Sequence, residues 1–265
     1  ALPTIREPII IAGLPRTGTT LLQELLDQDP ALRAPKTWEL LEPVPRPPGI
    51  RSVHEAAADA QPIIDAVQWD LEQYKQLAPG VDAFHPLAAT RPEECVITLA
   101  QMMDSLQFGA MFNVPRYTRW ILDLPSHRAT LRWHRRVMQW LQGSDARQWV
   151  LKTPYFLSLL EDIREAYPDA RVIHTHREPR DVLASTSSVL TKMYGIATDR
   201  LDLAAIGAEA VVTYRQVVDR AVTVREQWRA EGVTADRGDF RVADIRLPDL
   251  QADPIGTVRQ LYTGL

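Results

Sequence analysis

The sequence has 265 residues, of which 45% are hydrophobic and 24% are charged, and its formal net charge is -4. This length is enough for one large domain with a buried core, and the acidic balance argues against a nucleic-acid-binding protein, which usually carries a basic face. Cys95 is the single cysteine, so no disulfide forms within the chain. The sequence shows no signal peptide and no apolar run of about 18 residues, so we expect a cytoplasmic protein without a transmembrane helix.

The first half of the chain contains one buried strand followed mainly by helices. Residues 8–13 form an apolar run between Pro8 and Gly13, which predicts a buried strand. A proline-rich stretch at 42–49 is typical of a surface loop. The predicted helices span 18–28, 52–78 with a break at Pro62, a segment that begins near Pro92 with Glu93 and Glu94 in its first turn, and 126–142 with Ser126 as its N-cap.

The second half of the chain alternates strands and helices. The predicted strands are 148–152, 170–177 and 239–247. The predicted helices are 154–167, 179–193, 203–230 and 254–263. Strands that are separated by helices pair in parallel, so the sequence predicts an α/β fold with a central parallel sheet and helices on both faces.

The stretch PIIIAGLPRTGTTLLQELL (8–26) is close to a P-loop, which reads G-x-x-x-x-G-K-[ST]. Gly13, Gly18 and Thr20 match this pattern, but Thr19 stands where the lysine belongs. Backbone amides at the helix N-terminus still bind a phosphate, and Arg16 supplies a cation earlier in the loop. Because the lysine that spans the β- and γ-phosphates of ATP is missing, the loop suits a terminal phosphate better than a triphosphate. The alternative is a plain strand-to-helix turn capped by Thr19 and Thr20.

A second polar cluster, HTHREPRDVLASTSS (174–188), follows a later strand. Arg177 ends the predicted strand, and Ser185 lies eight residues further on in the predicted helix. Together they would bind a second anion, with about 1.5–3 kcal/mol per charge-assisted hydrogen bond. Two anion sites on neighbouring strands suit a nucleotide with phosphates on its 5′ and 3′ positions. The alternative is a surface network of ion pairs among Arg177, Glu178, Arg180 and Asp181.

These two motifs, in this order, resemble those of the PAPS-dependent sulfotransferases, which use 3′-phosphoadenosine 5′-phosphosulfate (PAPS) as co-substrate and release PAP. PRTGTTLL (15–22) is similar to the family's 5′-phosphosulfate loop, and HREPRDVLAS (176–185) is similar to its 3′-phosphate element. The sequences of these motifs are most similar to those of a bacterial branch of the family that also resembles Golgi tyrosylprotein sulfotransferases. The resemblance implies a P-loop-like three-layer fold and a reaction without a metal. The residues it implies for binding PAPS are Arg16, Thr17, Gly18, Thr19, Thr20, Arg177 and Ser185.

The resemblance also implies which residues carry the chemistry. Arg16 and Lys152, the latter in WVLKTP (149–154), are implied to neutralise charge on the leaving group. The cytosolic branch has a histidine base two places after the strand lysine, but Pro154 stands there in this sequence. The Golgi-like branch uses a glutamate after the 5′-loop helix, which points to Glu39 in APKTWELLEP (34–43). His85, on a predicted loop, is an alternative base.

His174 and His176 share one face of a predicted strand. The sequence shows no companion cysteine or carboxylate at ligand spacing, so packing or phosphate contact is the preferred interpretation and no metal is expected.

We therefore predict a single sulfotransferase domain over residues 1–265. A mostly helical insertion at about 50–147 is expected to form the lid and the acceptor pocket. The predicted acceptor is a hydroxyl group of a small molecule, carbohydrate or lipid. The alternatives are a P-loop-type kinase or NTPase and a non-catalytic nucleotide-binding protein.

Overall fold

Five parallel strands form the central sheet of the protein. The computed structural model describes residues 2–43, 60–234 and 239–264. The strands are β1 (Ile9–Gly13), β2 (Leu32–Arg33), β3 (Gln148–Lys152), β4 (Arg171–His176) and β5 (Arg241–Arg246), and they lie side by side in the order β2-β3-β1-β4-β5. All four pairings are parallel, so every strand ends at the same edge of the sheet. The predicted parallel sheet is confirmed, with β1 at its centre.

Helices cover both faces of this sheet. Ile10 and Ala12 of β1 pack into the larger core, and Ile9 and Ile11 pack into a second core on the opposite face. A strand that is buried on both faces reads as a continuous apolar run, which explains the three consecutive isoleucines. On the second face lie α1 (Thr19–Leu26), α11 (Leu247–Ala252) and α12 (Pro254–Gly264). The larger core takes side chains from α2 (Thr37–Leu41), α3 (Gln61–Leu77), α4 (Val96–Ala100), α5 (Leu106–Met111), α6 (Pro115–Leu122), α7 (Arg128–Gln142), α8 (Leu160–Ala166) and α10 (Leu203–Ala230).

A third, smaller cluster joins the two helices that follow β4. Leu190 and Tyr194 of α9 (Pro179–Ala197) pack against Ile206 and Ala210 of α10. The three-layer α/β fold predicted from the sequence is therefore confirmed. No helix among the described residues combines the length and apolarity that a membrane crossing requires.

Several predicted boundaries differ from the structure. The helix expected from Pro92 begins only at Val96, so Glu93 and Glu94 lie in the loop before it. The helix expected over 154–167 is divided into a 3-10 segment, Pro154–Ser158, and α8. His127 rather than Ser126 occupies the N-cap of α7, although the Ser126 hydroxyl accepts a hydrogen bond from the backbone of Arg128 at 3.3 Å.

The segment between β2 and β3 is mostly helical where the structure describes it. It contains α2 to α7, and α3 begins at Gln61 with Pro62 in its first turn rather than at a break. The start of the predicted helix at 52–78 and most of the proline-rich loop at 42–49 lie outside the described residues. That this segment acts as a lid and forms the acceptor pocket stays a prediction.

Candidate active site

The loop between β1 and α1 depends on its two glycines. Gly18 has a left-handed backbone with φ 90, and a Cβ there would lie 2.7 Å from Leu247 Cδ1. A Cβ on Gly13 would lie 2.1 Å from Thr175 Oγ1 of β4. The hydroxyls of Thr17 and Thr175 are themselves 2.6 Å apart, which ties the loop to the neighbouring strand. Close packing therefore requires glycine at both ends of this loop.

Arg16 contacts two other predicted site residues, Ser185 and Arg177. Its backbone is left-handed at φ 67, a conformation that a non-glycine residue adopts at a cost and mostly at functional sites. Its Nε donates a hydrogen bond to Ser185 Oγ at 3.2 Å, and the Arg177 guanidinium donates to the Arg16 carbonyl at 3.1 Å. The loop after β1, the end of β4 and the second turn of α9 therefore meet at one point.

Lys152 lies at the end of β3, beside the same loop. Its side chain is only 1% exposed, and Nζ donates hydrogen bonds to Glu94 Oε1 at 2.9 Å and to Thr20 Oγ1 at 3.4 Å. A buried ammonium group needs such a partner because its desolvation is costly. The ion pair with Glu94 joins residues that are far apart in the sequence, and it holds the lysine amine against the start of α1.

Glu39 is placed differently from the other predicted residues. One of its oxygens pairs with Arg33 at 2.5 Å, and the other accepts the backbone N–H of Lys36 at 2.8 Å, at the start of α2. The side chain is 6% exposed and is absent from the cavity wall described below. Both carboxylate oxygens thus hold the fold together, and the assignment of Glu39 as the base stays a prediction that this geometry does not favour.

A largely apolar cavity of about 480 Å³ opens beside the loop. Its wall includes Arg16, Thr19 and Thr20, which lie in or directly after the loop between β1 and α1. The side chain of Thr17 is instead directed to β4. Aliphatic and aromatic side chains of the helices before β3 and after β4 make up most of the remaining wall, among them Leu71, Val81, Leu106, Met111, Leu190 and Ile206. The polar groups of the wall include His85, Glu93 and Glu94, and also Gln107, Asn113 and Glu209 from the helical part of the chain.

His85 and Glu93 form a hydrogen-bonded pair in this wall. His85 Nε2 lies 3.1 Å from both carboxylate oxygens of Glu93. Burial disfavours charge on the imidazole, but the Glu93 carboxylate outweighs that effect and raises the pKa of His85 above its ordinary value. Burial also opposes ionisation of Glu93, yet His85 and Lys152 lower the pKa of Glu93. The pair therefore favours an ionised carboxylate.

His174 and His176 have a carboxylate companion from another strand, Asp244 of β5, which is distant from them in the sequence. Ligand atoms of both histidines and of Asp244 on β5 lie within 4.8 Å of one another. Asp244 is already bound to His176 at 2.8 Å and to both terminal nitrogens of Arg225. Burial, together with the charges of His176 and Arg225, lowers the pKa of His174 to about 3. The guanidinium beside this cluster opposes a further cation.

The fold and the site together define a class of protein. The chain is a P-loop-like α/β protein. A glycine- and threonine-rich loop follows its central strand, and cationic side chains lie at the carboxyl ends of β3 and β4. A family model described as the sulfotransferase family matches residues 8–265, so the chain belongs to the sulfotransferase family. The likeness to the Golgi branch is not tested by this match and stays a prediction.

Several relatives of this chain come from mycobacteria. It is 26% identical over 268 residues to the omega-hydroxy-beta-dihydromenaquinone-9 sulfotransferase Stf3 of Mycobacterium bovis and of Mycobacterium tuberculosis. That match covers 97% of this chain but 62% of the relatives' length. The crystal structure of sulfotransferase STF1 from Mycobacterium tuberculosis superimposes with a TM-score of 0.81 at 33% identity, covering 98% of this chain and 67% of that one. The crystal structure of sulfotransferase STF9 from Mycobacterium avium superimposes with a TM-score of 0.79 at 28% identity, covering 98% of this chain and 64% of that one.

Sequence reasoning missed the part that Glu93 and Glu94 play in the cavity. Their position at the start of a predicted helix indicated a favourable interaction with the helix dipole, and their contacts with His85 and Lys152 depend on loop geometry. A signal was nevertheless available, because two adjacent glutamates followed by Cys95 and an apolar run are unusual in a buried segment.

Proposed function

We propose that the protein transfers the sulfuryl group of PAPS to a hydroxyl group of an apolar acceptor and releases PAP. The observation that carries this proposal is the convergence of Arg16, Lys152, Arg177 and Ser185 at the carboxyl ends of three adjacent strands, beside an apolar cavity. Family membership supports the reaction class.

The two ends of PAPS have matching sites in this proposal. The start of α1, with Gly18, Thr19 and Thr20, offers backbone N–H groups to the 5′-phosphosulfate. Arg177 and Ser185 would bind the 3′-phosphate. The Arg16 side chain donates to Ser185 and its carbonyl accepts from Arg177, so the loop and the 3′ element form one continuous anion surface, which fits a nucleotide with phosphates at both ends.

Charge neutralisation falls to two cations. As the acceptor oxygen forms its bond to sulfur, the bond between sulfur and the bridging oxygen breaks, and negative charge builds up on the 5′-phosphate. Lys152 and Arg16 would stabilise that charge, and the low exposure of Lys152 strengthens such an interaction. We expect no metal in this reaction, since the chain supplies the cations itself.

The acceptor must fit the cavity. Most of the wall is built from aliphatic and aromatic side chains, which suits an apolar body with a single hydroxyl group directed at the loop. A carbohydrate would leave most of its hydroxyls without partners there. The name of the relative Stf3 gives a hydroxylated menaquinone as its substrate, and we propose a lipid-like alcohol for this chain as well. Residues at about 50–147 would form the lid over this acceptor.

The first test is calorimetric binding of PAP, with ADP as the control and no metal added. ADP has two phosphates on its 5′ chain and lacks the 3′-phosphate. We expect tight binding of PAP and weak binding of ADP. Binding of ADP or ATP only with Mg²⁺ would favour a P-loop kinase or NTPase. Binding of PAP without sulfuryl transfer to any acceptor would indicate a non-catalytic protein.

A further inference from the structure

The pair of His85 and Glu93 lies next to both cations of the site. The carbonyl of Phe84 accepts a hydrogen bond from Arg16 at 3.1 Å, so His85 follows directly on a contact of Arg16. Glu94, the neighbour of Glu93, pairs with Lys152 at 2.9 Å. The imidazole therefore lines the cavity at the place where the proposed sulfuryl transfer occurs.

The carboxylate of Glu93 is held firmly. The Glu93 side chain is 6% exposed, and its Oε1 accepts a hydrogen bond from the backbone N–H of Glu94 at 2.7 Å. The backbone N–H of Glu93 donates to the Pro35 carbonyl at 2.9 Å, which fixes the main chain at this residue. An ionised carboxylate only accepts hydrogen bonds, so Nε2 of His85 must be the donor between them. The neutral imidazole then carries its proton on Nε2, and Nδ1 presents a lone pair.

Nδ1 is available for chemistry. Among the described residues, no side chain or backbone group makes a hydrogen bond with Nδ1 of His85, whose side chain remains 32% exposed. A carboxylate that orients one nitrogen of a cavity-lining imidazole and leaves the other nitrogen without a partner is the arrangement of an activated histidine base.

We propose that His85 is the proton acceptor for the hydroxyl group and that Glu93 is its positioning residue; this rests on the proposed sulfuryl transfer. The acceptor O–H bond breaks, and its proton passes to Nδ1. The oxygen forms its bond to sulfur, and the 5′-phosphate leaves with the electron pair of the bond that breaks. The imidazolium that results is stabilised by the Glu93 carboxylate.

The nearby acids are weaker candidates for this role. Glu94 Oε1 accepts a hydrogen bond from the buried ammonium of Lys152 at 2.9 Å, so this carboxylate serves to hold that cation in place. Glu39 has both oxygens engaged with Arg33 and the backbone of Lys36. Both carboxylates are thus engaged in ion pairs with buried cations, whereas Nδ1 of His85 has no hydrogen-bond partner among the described residues.

The pH dependence follows from the charges that face the imidazole. Burial opposes the charged form of the imidazole, as Lys152 does, but Glu93 and Glu94 favour it, and the net effect is a pKa of His85 above the ordinary value. Arg16 adds a cation through its contact with the preceding residue. The base is active only when deprotonated, so kcat should rise with pH and level off above the pKa of His85.

The first variant is His85→Asn, which places a polar amide group where the imidazole ring was but cannot accept the proton. We expect kcat to fall about 10²- to 10⁴-fold while the affinity for PAP changes less than twofold. Glu39→Gln is the matched control, because it removes the competing base. Loss of kcat in Glu39→Gln with full kcat in a folded His85→Asn would overturn the proposal.

The second variant is Glu93→Gln, which removes the carboxylate charge and keeps its shape. In this variant the acid limb of the plot of kcat against pH should move to lower pH. A proton NMR titration of the His85 ring should show the same fall in pKa without any substrate. An unchanged His85 titration in Glu93→Gln would contradict the pairing, and it remains readable if His85→Asn does not fold. Absence of transfer by the wild-type protein with every acceptor would refute the proposed function instead, since the titration does not depend on turnover.

Discussion

Replacing Arg177 with methionine tests the 3′-phosphate site most sharply. Methionine keeps an unbranched, flexible side chain but removes the charge and every donor. In the structure the Arg177 side chain is 28% exposed, its Nη1 donates to the Arg16 carbonyl at 3.1 Å, and its contact with Asp181 is loose at 3.7 Å. The remaining N–H groups are therefore available to a phosphate.

The magnitude follows from the kind of bond that is lost. A hydrogen bond to a charged group contributes about 1.5–3 kcal/mol, which corresponds to PAP binding that is about 10- to 150-fold weaker. ADP has no 3′-phosphate, so its affinity should change less than about twofold. Loss of the bond to the Arg16 carbonyl should cost about 0.5–1.5 kcal/mol of folding free energy, or a few degrees in Tm.

Isothermal calorimetry with PAP and ADP measures both effects in the same preparation. Arg180→Met is the matched control, because Arg180 lies in the first turn of α9 and is exposed to solvent. It should leave both affinities within about twofold of the wild type. If Arg177→Met and Arg180→Met weaken PAP binding equally, Arg177 has no special part in binding the 3′-phosphate. If Arg177→Met weakens the binding of PAP and of ADP equally, its effect does not depend on the 3′-phosphate, which would also contradict the prediction.

Three further predictions concern the centre of the site and the stability of the fold. Lys152→Met should lower kcat about 10²- to 10³-fold in a transfer assay, because the charge on the leaving phosphate loses its buried cation; unchanged turnover would exclude Lys152 from the chemistry. Gly13→Ala should lower Tm clearly, since its Cβ would lie 2.1 Å from Thr175 Oγ1, whereas Gly207→Ala in α10, with open space around it, should be neutral or stabilising; similar Tm values for the two would contradict this packing. Although burial opposes its ionisation, Arg147 and Arg33 lower the pKa of Asp145 to about 2. Its ionised form therefore stabilises the fold above the unfolded pKa of about 4 and loses that effect as pH falls toward 2, so urea titrations should show a smaller acid-induced loss of stability in Asp145→Asn than in the wild type.

The sequence predicts the elements whose signals are local. The isoleucine run of β1, the strand at 148–152 and the helix at 203–230 are found where their patterns place them. By contrast, β2 has only two residues, and it exists because Leu32 and Arg33 pair with the start of β3. No periodicity can reveal so short an element.

The site shows the same division. The glycine and threonine pattern and the arginine after β4 predict that two loops lie together at one edge of the sheet, because strand ends in a parallel sheet share one edge, and the structure places them there. That these loops bind anions stays a prediction. The pairs His85–Glu93 and Lys152–Glu94 could not be predicted, since they depend on how the loop at 81–95 packs across β3. Asp244 meets His174 and His176 only because β5 pairs with β4.

The transfer reaction itself tests the central claim most directly. The purified protein is incubated with PAPS and a set of apolar alcohols and phenols, without added metal, and mass spectrometry measures sulfated product and PAP. The account predicts that both appear in equal amounts with an apolar alcohol, that EDTA has no effect, and that Lys152→Met abolishes most of the product. A protein that binds PAP but sulfates none of these acceptors, or that requires Mg²⁺ and ATP, would contradict it.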